Sequence, residues 1–145
     1  MEYIEQNLQK IYLIRLLKGE DIFNSIETFC KHVSTIKSGM LQGIGAVSEI
    51  IIGYYNGIEY QKVNLRENLE ILSLSGNIVS NNIGHFHGIF GRSDGSSLGG
   101  HIFPGCIVSF TCEIIIFELN PPVFRKRDEE IKLNLLNLPN KLRFK

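Results

Sequence analysis

The sequence predicts an α+β domain: a mainly antiparallel sheet of about six strands with one principal helix. Three observations lead to this expectation. Apolar side chains recur at helical spacing over residues 22–33, and several later stretches alternate apolar and polar residues with the period of a strand. The dipeptide Asn56-Gly57 is a strong hairpin signal between two of those stretches. One early helix followed by a meander of strands is typical of the α+β class.

The predicted elements follow in order along the chain. The helix has Asp21 as its N-cap, and its apolar face is marked by Ile22, Ile26, Phe29, Cys30 and Val33. A strand at 39–55 is expected to bend near Gly43 and Gly45. The other predicted strands are 10–17, 58–64, 69–79, 83–90, 98–103 and 107–119. Pro121 and Pro122 cannot join a ladder, so they end the last strand.

The composition is that of an ordinary globular protein, with 145 residues, 43% of them hydrophobic and 21% charged. No apolar run approaches the roughly 20 residues of a membrane span, and the polar start MEYIEQNLQK does not resemble a secretory signal. Cys30, Cys106 and Cys112 are odd in number and form no C-x-x-C pair. Reduced thiols in a cytoplasmic protein are therefore expected, with no membrane partner.

Net charge is zero, but it is unevenly distributed. Residues 125–145 hold seven basic and three acidic side chains, so the rest of the chain is acidic. We therefore divide the chain into a domain at 1–122 and a basic C-terminal tail at 123–145. The tail is a solvated segment, a segment that docks on the body or on a neighbouring subunit, or an electrostatic arm for nucleic acid.

Three of the four histidines lie in the stretch GHFHGIFGRSDGSSLGGH, residues 84–101. His85 and His87 are two apart, so in a strand both side chains lie on one face. If the turn Ser93-Asp94-Gly95 is centred on Asp94, His87 faces His101 directly across the hairpin. A shift of one residue in the turn would break this pairing.

Three imidazoles on one face can converge on a divalent metal ion, zinc above all. Three histidines with an open fourth position is also the pattern of catalytic zinc sites. The alternative is that His85, His87 and His101 are separate side chains on a solvent-facing sheet.

Further candidates accompany the histidines. Strand parity puts Glu70 on the face of Leu72 and Leu74, so either the strand starts after Glu70 or Glu70 points into a site as acid, base or ligand. Asn77 shapes a bend or binds a ligand with its amide, and Gly99 and Gly100 are expected to border a ligand pocket.

Two nucleotide-binding motifs are missing. The stretch GIGAVS lacks the third glycine of a dinucleotide fingerprint and opens a strand, and the sequence has no P-loop. The serines lie outside any nucleophile elbow, so a serine hydrolase is not supported.

Several stretches together resemble the plants-and-prokaryotes-conserved (PPC) domain. They are KGEDIFNSIETFC, GIGAVSEIIIGYYNGIEYQ, LEILSLSGNI, HFHGIFGRSDGSSLGGHIFPG and CEIIIFEL. The resemblance covers residues 10–120 in order. It implies a homotrimer, often described as DNA-binding, and it places a metal site of the prokaryotic members on His85, His87 and His101. The Arg-Gly-Arg-Pro element with which plant members bind DNA is missing from this sequence.

Two functions remain open. One is a homotrimeric regulatory module that associates with DNA or with proteins, in which case its DNA binding depends on salt and on the tail. The other is a metal-dependent enzyme or small-ligand-binding protein that uses the three histidines, with Glu70 as the general base.

Overall fold

An antiparallel six-stranded sheet dominates the structure, and one helix packs against it, which confirms the predicted α+β class. The computed structural model describes residues 1–33, 36–80 and 82–142. Within these ranges the elements are β1 (Glu2–Tyr3), β2 (Asn7–Leu17), α1 (Ile22–His32), β3 (Ser38–Tyr55), β4 (Tyr60–Val79), β5 (Asn82–Gly91), β6 (Ser97–Ile102), β7 (Ile107–Asn120), β8 (Phe124–Arg127), β9 (Asn134–Asn137) and β10 (Asn140–Lys141).

The main sheet has the strand order β2-β7-β3-β4-β5-β6. The last strand also pairs with β3, through Ile52 with Ile102 and Gly53 with His101. Strands β3 to β6 therefore form a closed ring of paired strands. In this ring the β5–β6 hairpin lies against β3.

The strand β4 corrects one prediction, because it runs unbroken over the 20 residues for which two strands were expected. The polar residues 66–68, between the two expected strands, belong to β4, and Arg66 stays paired with Glu49 of β3. Glu67 in the same run forms an ion pair with Arg92, at 3.1 Å between Oε2 and Nε. Polar residues therefore continue the strand on its solvent side, as antiparallel sheets permit.

The helix α1 is fixed at its start by Asp21, which is the N-cap that the sequence predicts. Its Oδ1 atom accepts from the backbone N–H of Asn24 at 2.8 Å, and its Oδ2 atom accepts from that of Gly105. One carboxylate thus satisfies the helix end and ties it to the turn before β7.

The core lies between α1 and one face of the sheet. The helix contributes Ile22, Ile26 and Cys30, all buried. Phe86 and Phe90 of β5 are completely buried beneath the helix side, and the rings of Phe23 and Phe86 lie 5.5 Å apart. Burying an aromatic or aliphatic side chain of this size stabilises a fold by about 1.5–3 kcal/mol.

The C-terminal segment 123–142 docks on the body. Strands β8 and β9 form a hairpin, and β10 pairs with β1. The Val123 carbonyl accepts from the Ser80 N–H at 3.0 Å. Two of the basic residues counted above, Arg143 and Lys145, lie outside the described residues. In the described part of the chain, no helix has the length and apolar character to cross a bilayer.

Candidate metal centre

The β5–β6 hairpin turns where the sequence predicts. The pairs His87 with His101 and Gly91 with Ser97 are in register, as expected for a turn centred on Asp94. Asp94 Oδ1 accepts from the backbone N–H of Ser96 at 2.8 Å and from its hydroxyl at 2.6 Å. Gly95 has a φ of 83°, a conformation that glycine adopts without steric cost. The predicted pairing of His87 with His101 is confirmed.

Alternation along β5 puts two histidines on the opposite side from the core. Phe86 between them is completely buried, so the neighbouring side chains of His85 and His87 lie on the other face. On the adjacent strand β4, Gly76 faces Phe86, and a side chain there would collide with the backbone of His85. The glycine therefore lets β4 and β5 approach closely at the histidines.

We call His85, His87 and His101 the histidine triad, because their side chains meet at one place. Their ligand nitrogens all lie within 4.8 Å of one another. The Nε2 atoms of His85 and His87 are 3.1 Å apart. Nitrogens that share one ion at 2.0–2.1 Å lie about 3.0–3.4 Å apart, so the spacing of His85 and His87 is already that of two ligands of one ion.

The electrostatic environment keeps two of the imidazoles neutral. Burial, followed by the neighbouring charges, lowers the pKa of His101 from 6.5 to about 4. Burial, then Arg125 and His87, lowers the pKa of His85. A metal ligand must be an unprotonated imidazole, so both residues are in the state that ligation requires at neutral pH.

The third histidine lies in an aromatic setting. The ring of His101 lies 5.0 Å from that of Tyr60 and 4.8 Å from that of Phe103. Its Nδ1 atom is buried and has no hydrogen-bond partner among the described residues. A buried polar nitrogen without a partner is costly, and three imidazoles are a donor set suited to zinc. The residues of the triad therefore fit a divalent ion.

A cavity of about 310 Å³ opens beside the triad. His85 and His101 line it, together with Phe103 and with Leu135 of the C-terminal segment. His87 is the exposed member of the triad, so solvent reaches the histidines from its side. We call the cavity lined by His85 and His101 the triad cavity.

Arg125 of β8 connects the C-terminal segment to the triad. Its Nη2 atom donates to Asn77 Oδ1 at 2.6 Å and lies 3.3 Å from His85 Nδ1. Its Nη1 atom donates to the Asn134 carbonyl at 2.9 Å. Asn77 is the register partner of His85, so the amide that the sequence singled out lies next to the triad and holds Arg125.

The structure does not bring Glu70 to the histidines. Glu70 is exposed and pairs with Gly91, six residues along β5 from His85. The expectation that the strand starts after Glu70 is also wrong, because β4 begins at Tyr60. A register irregularity between Ile71 and Ser73 changes the parity: Ile71 and Leu74 are buried, and Glu70 faces solvent.

The two glycines expected to border a ligand pocket, Gly99 and Gly100, instead allow neighbouring strands to approach closely. Gly100 pairs with Gly88, and a Cβ at Gly100 would lie 2.9 Å from the Gly53 carbonyl oxygen. A Cβ at Gly99 would lie 2.7 Å from the Gly88 carbonyl oxygen. Among the described residues that line the triad cavity, the glycine is Gly84.

Sequence reasoning missed Arg125 and Tyr60 as neighbours of the triad. Arg125 was counted only as a charge of the tail, 40 residues from His85 along the chain. Tyr60 lies at the start of β4, and its approach to His101 depends on the pairing of β6 with β3. Neither position has a local sequence signal.

The comparisons with known proteins agree with the fold and with the resemblance. The family profile of the Plants and Prokaryotes Conserved (PCC) domain matches residues 3–120. The chain therefore belongs to this family, whose domain is also abbreviated PPC.

Solved structures of similar proteins cover nearly the whole chain. The metal-containing protein AF0104 from Archaeoglobus fulgidus is 38% identical with a TM-score of 0.84, over 93% of this chain and 98% of that one. A Bacteroides thetaiotaomicron protein labelled a candidate DNA-binding protein is 29% identical with a TM-score of 0.83, over 92% of this chain and 97% of that one.

Among curated proteins, the chain is 31% identical over 107 residues to the bifunctional protein GlmU of Synechococcus sp. strain JA-3-3Ab. The match covers 74% of this chain and 17% of GlmU, so the chain spans about a sixth of the length of that relative.

Proposed function

We propose that this protein binds one divalent metal ion per chain, zinc above all, through His85, His87 and His101. The observation that supports this most strongly is the convergence of three ligand nitrogens within 4.8 Å on adjacent strands. The similar Archaeoglobus fulgidus protein is described as metal-containing. A set of three imidazole ligands suits zinc, with copper, iron and nickel as the competing first-row metals.

Three protein ligands leave an open coordination position, which is the arrangement of a ligand-binding or catalytic ion. When bound, such an ion polarises a carbonyl or activates water. The chain's own contribution is an apolar wall and a positive charge, because Phe103 and Arg125 line the same cavity. Glu70 is not suited as a general base here, because it is exposed and pairs with Gly91.

The test is elemental mass spectrometry on untagged protein purified without added metal. We expect about one ion per chain in the wild type and none in His87→Ala. His87 is exposed, so its removal should leave the fold intact. His32→Ala is the matched control, because this exposed helical imidazole lies outside the triad. Equal metal content in all three proteins, or none in any after reconstitution with zinc, would overturn the proposal.

A second candidate function is association with nucleic acid through the C-terminal segment. Lys126 and Arg127 of β8 are exposed, and a similar protein is labelled a candidate DNA-binding protein. Binding of this kind is electrostatic and weakens steeply with salt. Fluorescence anisotropy with duplex DNA tests it. Lys126→Glu with Arg127→Glu should weaken binding at low salt, whereas unchanged binding would exclude this segment.

We also propose that the chain assembles as a homotrimer. Four apolar side chains are exposed around one groove of about 450 Å³, namely Leu13, Ile44, Leu72 and Ile115. We call them the outer apolar face. Monomeric proteins rarely expose contiguous apolar patches of this kind, and a second copy of the chain is the partner that would cover it.

The three cysteines are buried thiols without disulfide bonds, which suits a reducing compartment such as the cytoplasm.

A further inference from the structure

We propose that the triad cavity binds a small monocarboxylate with an apolar body, and that Arg125 holds its carboxylate group beside the metal ion. This inference rests on the proposed metal site and adds to it the chemical class of its ligand.

The first argument is the charge of the site. The three imidazoles are neutral ligands, so a bound divalent ion would keep its full charge, and the Arg125 guanidinium adds another positive charge next to His85. The described residues that line the triad cavity include no aspartate or glutamate. A cleft lined by positive charge concentrates anions, and with no acidic side chain in the wall an anionic ligand supplies the counter-charge.

The second argument is the form of the donor. The guanidinium carries its N–H groups in a rigid plane that matches the two oxygens of a carboxylate. Asn77 Oδ1 and the Asn134 carbonyl each accept from Arg125, so the side chain is held in position rather than extended into solvent. A donor positioned in advance binds its ligand at a lower entropic cost.

The contact between Arg125 and His85 also favours an anionic ligand. Nδ1 of His85 can accept from Nη2 of Arg125 at 3.3 Å only while Nδ1 carries no proton. A neutral imidazole that ligates through Nε2 carries its proton on Nδ1, and two donors then face each other. A carboxylate oxygen accepts from both groups, so an anion resolves this conflict.

The third argument is the size and polarity of the space. A volume of about 310 Å³ is at the lower end of small-molecule sites, which limits the ligand to a compact one. Apolar side chains make up much of the wall, among them Phe23, Phe103 and Leu135. The ligand therefore combines one charged group with an apolar body.

The test is isothermal titration of zinc-loaded protein with benzoate and, separately, with benzamide. Benzamide has nearly the same shape and no charge. We expect benzoate to bind and benzamide to bind at least about 10-fold more weakly, because only the anion accepts charge-assisted hydrogen bonds. Inorganic phosphate is a third probe. If phosphate binds more tightly than benzoate, the carboxylate assignment is overturned.

Arg125→Gln should weaken benzoate binding about 10-fold or more while zinc content stays at one ion per chain. Lys126→Gln is the matched control, because it removes the same charge from an exposed neighbour on the same strand. Arg125→Lys keeps the charge and loses the planar fork, so it should give an intermediate affinity for benzoate. It replaces Arg125→Gln in the test if that variant does not fold.

Equal benzoate affinity in Arg125→Gln and Lys126→Gln would overturn the role of Arg125. Zinc bound at one ion per chain with no preference for benzoate over benzamide would overturn the anion site and leave the metal site standing. Absence of bound zinc would overturn both.

Discussion

His87 and His101 are direct partners across the β5–β6 hairpin, and their ring centroids lie 5.5 Å apart. His85 completes the group from the same face of β5, with its ring centroid 4.9 Å from that of His101. The turn centred on Asp94 sets this register, and the pairing of β6 with β3 holds the hairpin against the rest of the sheet. The candidate metal centre therefore rests on rigid strands rather than on a loop.

Zinc should stabilise the folded protein. At a free zinc concentration of about 100 times the dissociation constant, binding adds roughly 3 kcal/mol to the free energy of unfolding. For a domain of this size, that raises the melting temperature by roughly 5–10 °C. Differential scanning fluorimetry of chelator-treated protein, with and without zinc, measures the shift.

His87→Ala should lose the zinc response because it removes one ligand from the triad. His32→Ala should keep it, since that histidine lies outside the triad and its Nδ1 atom is 2.9 Å from the Thr28 carbonyl oxygen of its own helix. The same shift in both variants would mean that zinc acts at another place.

The hairpin could be predicted from the sequence because its determinants are local. One glycine, one aspartate and the two-residue period of a strand are sufficient to pair His87 with His101. The direction of the Glu70 side chain could not be predicted from strand parity, because the register irregularity between Ile71 and Ser73 has no mark in the sequence. Arg125 could not be found at all, because its position depends on the docking of the C-terminal segment 40 residues away.

The three thiols should be unreactive in the folded protein. Burial raises the pKa of Cys30 and of Cys106 to about 11, and that of Cys112 to about 12. The thiolate is the reactive form, so little of it exists near pH 8. Ellman's reagent should label none of these cysteines in native protein and all three in concentrated guanidinium chloride. Rapid labelling of native protein would contradict their burial.

Assembly should depend on the outer apolar face. Ile44 is 59% exposed and lies beside the groove, so Ile44→Arg places a charge in the proposed interface. We expect light scattering to give the mass of three chains for the wild type and of one chain for this variant. Ile58→Arg is the control, because Ile58 is exposed in the β3–β4 turn, away from the groove. A monomeric wild type would refute the assembly.

Asp21 should matter for stability and not for metal binding. Asp21→Ala removes the cap of α1 and the hydrogen bond to Gly105, which should lower the free energy of unfolding by about 1–2 kcal/mol. Asp21→Asn keeps an acceptor oxygen and should lose less. Urea denaturation measures both variants. Unchanged stability in Asp21→Ala would show that the cap contributes little, and loss of zinc would show coupling to the triad.

X-ray absorption at the zinc edge tests the central claim most directly, because it identifies the atoms around the ion. The account predicts a first shell of nitrogen and oxygen at about 2.0–2.1 Å, with the outer scattering of three imidazoles. His87→Ala treated with zinc in the same way should retain no ion and give no such signature. A shell at about 2.3 Å would indicate cysteine sulfur, and it would contradict the histidine centre.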